Sequence, residues 1–120
     1  MLKRIVELND LKEEMIIAVY NYGSRVYGTN REDSDHDFIV VMENGYKEGM
    51  DHEINCCNKN AKIDLVIFTE EFFIKSIENH CNSVLECLFL PPEMIVIEKK
   101  DFKQYFKLNL SLLRKQIRYQ

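Results

Sequence analysis

Five short apolar runs rich in β-branched residues follow one another along the chain, separated by polar or glycine-containing segments. Runs of this length and composition are typical of buried or half-buried β-strands. They predict strands over residues 16–22, 37–42, 53–57, 62–68 and 94–98. The polar break between the third and fourth runs predicts a β-hairpin.

Helical spacing, with apolar positions three or four residues apart, appears between and after these runs. It predicts helices over residues 9–15, 70–80, 83–89 and 101–118. Thr69 is the expected N-cap of the helix over 70–80, because its hydroxyl can accept a free amide of the first turn. Two consecutive prolines after residue 90 end the helix over 83–89, since proline cannot donate the helical hydrogen bond.

Composition limits the chain to one ordinary globular domain covering residues 1–120. Apolar residues make up 46% and charged residues 30%, with only two prolines and four glycines, which excludes a disordered or collagen-like chain. No apolar run approaches the ~20 residues that cross a bilayer, and the N-terminus lacks the apolar stretch of a secretory signal. We therefore expect a cytoplasmic protein without a membrane segment.

The charge is unevenly distributed. The net charge is −4, yet residues 98–120 hold seven lysines and arginines against two acids. In the last predicted helix, one stripe is apolar: Phe102, Phe106, Leu110, Leu113 and Ile117. A neighbouring stripe is cationic: Lys103, Lys107, Arg114 and Arg118. The cationic stripe is either a solvated helix face or a surface for an acidic or phosphate-bearing partner.

The four cysteines form no C-x-x-C motif, and two of them are adjacent, which suits neither a disulfide framework nor a zinc site. We interpret them as reduced thiols. His80, Cys81 and Cys87 contain metal-ligating atoms, but neighbouring residues on a helix point about 100° apart, so their spacing favours a structural role.

Asp35 and Asp37 stand at the start of the second predicted strand. Being two residues apart, they project from the same face of that strand, where two anions repel unless a cation lies between them. Carboxylate oxygens suit Mg²⁺ or Mn²⁺, and two such ions about 3.5–4 Å apart can hold the attacking and leaving oxygens of a phosphoryl transfer. The plain alternative is a polar loop that ends at a strand.

Gly23 and Ser24 directly follow the first predicted strand, at a turn expected to lead into a short helix. A glycine lets backbone approach a phosphate closely, amides at a helix start favour negative charge, and the Ser24 hydroxyl can donate to a phosphate oxygen. The pair is therefore a candidate anion site.

Two other motifs fit incompletely. The segment from Gly23 to Thr29 has the outline of a P-loop but lacks its lysine. Asp33, Asp35 and Asp37 imitate the opening of an EF-hand loop, yet the required glycine and final glutamate are absent.

The stretch YGSRVYGTNREDSDHDFIVV resembles the signature of the nucleotidyltransferase superfamily typified by DNA polymerase beta: an apolar strand, Gly-Ser, about ten residues, Asp-x-Asp and a second apolar strand. The wording GSRxYGT followed by DSDxD is similar to stand-alone bacterial and phage members, and the spacing also matches minimal antitoxin members. The resemblance extends weakly through Asp64 in KIDLVIF and includes NSVLECLFLPPEMIV.

The resemblance implies an α+β fold: a small mixed β-sheet with helices packed mainly on one face and the active site at the sheet edge. It makes Gly23 and Ser24 the triphosphate-binding pair. Asp35, Asp37 and Asp64 become the catalytic, metal-ligating carboxylates, with Asp64 on a neighbouring strand helping to activate the acceptor hydroxyl. His36 departs from the family pattern, which has an apolar residue there, and it should point to the opposite sheet face.

The implied reaction is attack of an acceptor hydroxyl on the α-phosphate of a nucleoside triphosphate, most simply ATP, with two Mg²⁺ or Mn²⁺ ions and release of pyrophosphate. A protein side chain, an RNA 3′ end and a small molecule all remain possible acceptors. The alternatives are a nucleotide-binding regulatory or antitoxin-like module that acts through a partner without turnover, and a fragment of a longer enzyme.

Overall fold

Five β-strands and three α-helices organise the described part of the chain, which comprises residues 2–9, 11–22, 36–46, 54–58 and 63–107 of a computed structural model. The helices are α1 (Leu2–Asn9), α2 (Glu70–Glu78) and α3 (Asn82–Leu88). The strands are β1 (Ile16–Tyr22), β2 (His36–Met42), β3 (Ile54–Asn58), β4 (Ile63–Thr69) and β5 (Ile95–Glu98). No helix in these ranges is long and apolar enough to span a bilayer.

The strands form one mixed sheet in the order β3-β4-β2-β1-β5. Strands β2 and β4 run parallel, and the other neighbouring pairs run antiparallel. Each predicted strand is confirmed to within one residue at either end, and the predicted hairpin is the β3–β4 pair. A mixed sheet with helices outside it is the expected α+β fold.

Each face of the sheet has its own apolar core, because side chains alternate between the faces along every strand. The first core packs against α2 and α3 and includes Tyr20, Ile39 and Phe73. The second contains Val40 and is covered by α1, whose Ile5 is fully buried. Two of the three described α-helices therefore share one face.

The start of α2 is fixed to the ends of the two parallel strands. The Thr69 hydroxyl accepts the amide of Phe72 at 3.4 Å, so the predicted N-cap is confirmed. The Asn44 side chain, just beyond β2, accepts the amide of Glu71 at 2.8 Å. Both caps satisfy amides that have no partner within the helix.

The prediction of a helix over residues 9–15 is wrong. The helix lies earlier, as α1, and Glu13–Met15 form only a 3₁₀ turn. The apolar spacing of Leu2, Ile5 and Val6 explains the difference, because these side chains pack together against the second core. Residues 12–14 are exposed and offer no apolar stripe to bury.

The helix predicted over residues 101–118 is also wrong in its described part. Phe102–Tyr105 form a 3₁₀ helix, after which the backbone is extended at Phe106. Phe102 is fully buried, with its ring centroid 4.9 Å from that of Phe73. Packing of that ring, rather than an amphipathic helix, holds the segment, and residues 108–118 lie outside the described ranges.

Polar contacts hold β5 and the segment after it against the α2 side of the sheet. The buried Tyr20 hydroxyl donates to Glu98 at 2.5 Å, and burial together with this carboxylate raises the pKa of the phenol. Lys100 forms an ion pair with Glu70 at 2.8 Å. The His80 ring donates through Nε2 to the Lys107 carbonyl at 2.9 Å.

Phe73→Ala should lower the free energy of unfolding by about 3–5 kcal/mol, because the fully buried ring contacts the rings of Tyr20, Phe68 and Phe102. Urea unfolding measures this loss. Phe89→Ala is the matched control: Phe89 is 62% exposed, so its truncation should cost less than about 1 kcal/mol. Equal losses in the two variants would contradict the assignment of Phe73 to the core.

Candidate active site

Asp37 and Asp64 lie side by side on the two parallel strands. They are register partners in the β2–β4 ladder, in which Phe38 is likewise opposite Leu65. Register partners on adjacent strands are about 5 Å apart and project from the same face. The pairing therefore brings two carboxylates together on the face that carries α2 and α3.

One oxygen of Asp64 has no hydrogen-bond partner among the described residues. Oδ1 of Asp64 is buried and accepts no hydrogen bond within the described part of the chain. A buried acceptor left without a partner costs about 1–3 kcal/mol. Its position beside Asp37 is the arrangement that a divalent cation would stabilise, because the cation supplies the missing partner and offsets the repulsion between the carboxylates.

The carboxylate pair lies at the ends of interior strands rather than on an edge strand of the sheet. Asp37 is the second residue of β2 and Asp64 the second of β4, and both strands have neighbours on both sides. On the other side of Asp37 is its β1 partner Tyr22. Burial, followed by the negative charge of Glu86, raises the pKa of the Tyr22 phenol.

Three predicted site residues, Gly23, Ser24 and Asp35, lie outside the described residues, and their roles stay predictions. In the sequence, Gly23 directly follows Tyr22, and Asp35 directly precedes His36. The structure brings the remaining two, Asp37 and Asp64, together, and confirms that Asp64 comes from the strand next to that of Asp37.

His36 points away from the carboxylates, as expected. Its ring stacks on that of Phe38, with centroids 6.1 Å apart, and Phe38 belongs to the core on the α1 face. The incomplete EF-hand resemblance is excluded by the same strand, because residues 36–42 are paired in the sheet rather than wrapped in a calcium-binding loop.

A cavity of about 250 Å³ opens on the same face as the carboxylates. Four of its lining residues come from the strands: Tyr22, Ile39, Val66 and Phe68. The others come from α2, α3 and the turn between them: Phe72, Ser76, Cys81 and Ser83. None of these lining residues was predicted from the sequence as part of the site. The available signal was the alternation along β2 and β4, which places Ile39 and Val66 on the face of Asp37 and Asp64.

Comparison with known protein families agrees with this geometry. The family model described as polymerase beta, nucleotidyltransferase matches residues 3–89, a range that contains β1 to β4, α2, α3 and both carboxylates. No curated protein matches the chain. Because the match spans well over half of the 120 residues, the chain belongs to the polymerase beta nucleotidyltransferase family.

Proposed function

We propose that the protein is a metal-dependent nucleotidyltransferase that moves a nucleoside monophosphate from a nucleoside triphosphate, most simply ATP, to an acceptor hydroxyl. The observation that carries this proposal is the register pairing of Asp37 with Asp64, together with the buried Asp64 oxygen that has no described partner. A buried carboxylate oxygen without a hydrogen-bond partner among the described residues is costly to the fold, so its place at the strand ends favours a functional reason.

The proposed cofactor is Mg²⁺ or Mn²⁺, as two ions, with Asp35, Asp37 and Asp64 as the protein ligands. The oxygen-only donor set suits such hard cations, as does the buried Asp64 oxygen, which has no partner in the described part of the chain. When bound, these ions neutralise charge on the phosphate oxygens of the substrate. Gly23 and Ser24 are proposed to hold the triphosphate through backbone amides and the serine hydroxyl.

The bond changes follow from in-line displacement at the α-phosphorus. The acceptor oxygen forms a bond to that phosphorus while the bond to the bridging oxygen of the β-phosphate breaks, and pyrophosphate leaves. The acceptor hydroxyl must lose its proton, and the proposed role of Asp64 is to orient that hydroxyl and accept the proton.

The proposed acceptors are a protein, an RNA or a small molecule. The helical stripe predicted to include Lys103 and Lys107 is not formed there, because the backbone is extended at Phe106, but both lysines are exposed and are proposed as part of a partner surface.

Asp64→Asn should leave ATP affinity within a few fold while lowering transfer by roughly 10²–10⁴, because the lost interaction acts on the acceptor in the transition state. The nucleotide would still be held by Gly23, Ser24 and the cation that accompanies its phosphates. The assay incubates the protein with each α-labelled nucleoside triphosphate, Mg²⁺ or Mn²⁺, and cell extract. Labelled protein, RNA and small molecules are then separated.

The matched control is Glu93→Gln, which makes the same carboxylate-to-amide change at an exposed position and should leave transfer unchanged. Melting temperature and ATP affinity are measured on each variant. Absence of transfer by the wild-type protein with every nucleotide and extract would contradict turnover and favour the binding-module alternative. Parallel loss of stability, ATP affinity and transfer in Asp64→Asn would contradict the catalytic role of Asp64.

A further inference from the structure

Among the described residues, the lining of the cavity beside the carboxylates carries no formal charge, since it includes no lysine, arginine, aspartate or glutamate. Three of its four strand residues are apolar, and Tyr22 adds a phenol. This lining offers a phosphate or carboxylate no cation to pair with, so it disfavours charged groups. With a volume of about 250 Å³, the cavity is smaller than the roughly 300–1,000 Å³ typical of sites for drug-sized ligands. It suits one uncharged ring system.

The cavity lies next to the carboxylate pair along strands β2 and β4. Ile39 and Val66 are each two residues beyond Asp37 and Asp64 on the same strands and the same face. Two residues of a strand span about 6.5 Å. A molecule whose phosphate lies at the carboxylates can therefore extend a neutral part along the sheet into the cavity.

An aromatic wall forms one side of the cavity. The rings of Phe68 and Phe72 stack with their centroids 5.6 Å apart and an interplanar angle of 17°. Phe68 is buried, whereas Phe72 is half-buried, so part of the Phe72 side chain remains accessible. Flat heteroaromatic rings bind such surfaces by stacking.

Hydrogen-bonding groups surround this wall at positions fixed by the end of α2. The helix ends in a Schellman turn: the amide of Cys81 donates to the Ser76 carbonyl at 2.9 Å, and His80 takes the left-handed conformation with φ 55°. The turn therefore holds Ser76 and Cys81 close together. The Ser76 hydroxyl donates to the Phe72 carbonyl at 2.9 Å, so its oxygen can still accept a hydrogen bond.

We infer that this cavity binds a nucleobase, because its aromatic wall, uncharged lining and hydroxyl groups match a flat neutral ring with polar edges. The inference rests on the proposed function, since a nucleobase is joined through one sugar to the phosphate that the carboxylates would serve. The base belongs either to the triphosphate donor or to a nucleoside acceptor. Both sources present the same chemistry to the cavity.

The test uses the exposed thiol of Cys81. Cys81 is exposed and lines the cavity, whereas Cys87 is buried, and burial raises the pKa of its thiol, so Cys87 serves as an unreactive internal reference. The protein is labelled with iodoacetamide without nucleotide and in the presence of adenosine, guanosine, cytidine, uridine or tripolyphosphate. Mass spectrometry of the peptides measures the labelling rate at Cys81.

At least one nucleoside should slow labelling of Cys81 about tenfold at saturation, without any divalent cation, while tripolyphosphate has no effect on it. Protection by tripolyphosphate but by no nucleoside would overturn the inference, as would the absence of protection by all four nucleosides. This readout needs neither a metal nor turnover. If nucleotide transfer fails but a nucleoside still slows labelling of Cys81, the proposed reaction is refuted and the nucleobase site is still supported.

Three variants test whether the nucleoside that protects Cys81 binds inside the cavity. Val66→Phe fills the cavity and should weaken nucleoside protection at least about tenfold. Val96→Phe makes the same change at a half-buried strand position that packs against the core on the α1 face, and it should leave protection unchanged. Phe72→Ala removes part of the aromatic wall and should weaken protection about 5- to 100-fold. Unchanged protection in Val66→Phe and Phe72→Ala would overturn the inference.

Competition between an ATP analogue and free nucleosides shows whether the bound base belongs to the donor or to the acceptor. A non-hydrolysable ATP analogue with Mg²⁺ is added at saturation, and its own protection of Cys81 is compared with that of the free nucleoside. If the analogue protects Cys81 at lower concentrations than adenosine does, the cavity holds the base of the donor. If a nucleoside still protects Cys81 when the analogue is bound and does not itself protect, the cavity holds the base of an acceptor. Either result supports a nucleobase site.

Discussion

The parallel pairing of β2 with β4 is the constraint on which the candidate site depends. Its register places Asp37 opposite Asp64. A shift of one residue would move the side chain opposite Asp37 to the other face of the sheet, and the two carboxylates would no longer meet. The register is held by apolar side chains on both faces, since Ile39 and Val40 are each almost fully buried in a different core. Packing of the whole sheet therefore holds together two groups that repel each other.

The same register shapes the surroundings of the carboxylates. Beyond Asp37 and Asp64, the next side chains on that face line the cavity, and the two strands then lead to the residues that cap α2. Because the start of α2 is tied to Thr69 and Asn44, and its end is fixed by the turn at His80, the helix lies in a defined position over the sheet. The geometry of the cavity thus follows from hydrogen bonds at both ends of one short helix.

Local patterns sufficed to predict much of this fold. The strands, α2, α3 and the Thr69 cap follow from alternation, helical spacing and capping chemistry, which act over a few residues. The family resemblance identified Asp64 as a candidate, and its position as an acid inside the apolar run IDLVIF supported that choice. The helices predicted over 9–15 and 101–118 failed because tertiary burial of Ile5 and Phe102 outweighed local preference. The cavity could not be predicted, since its lining comes from segments that meet only in the folded sheet.

The proposal that Asp37 and Asp64 share one of the two cations is tested by the stability that Mn²⁺ adds to the protein. The free energy of unfolding is measured in EDTA and in Mn²⁺ for the wild type, Asp37→Asn, Asp64→Asn and the double variant, with Glu93→Gln as control. The wild type and the control should gain about 2.7 kcal/mol at a Mn²⁺ concentration one hundred times the dissociation constant. Each single variant should lose most of this gain, and the double variant should lose no more than either single one, because one cation needs both carboxylates. An undiminished Mn²⁺ effect in either single variant, or losses that add in the double variant, would contradict a shared site.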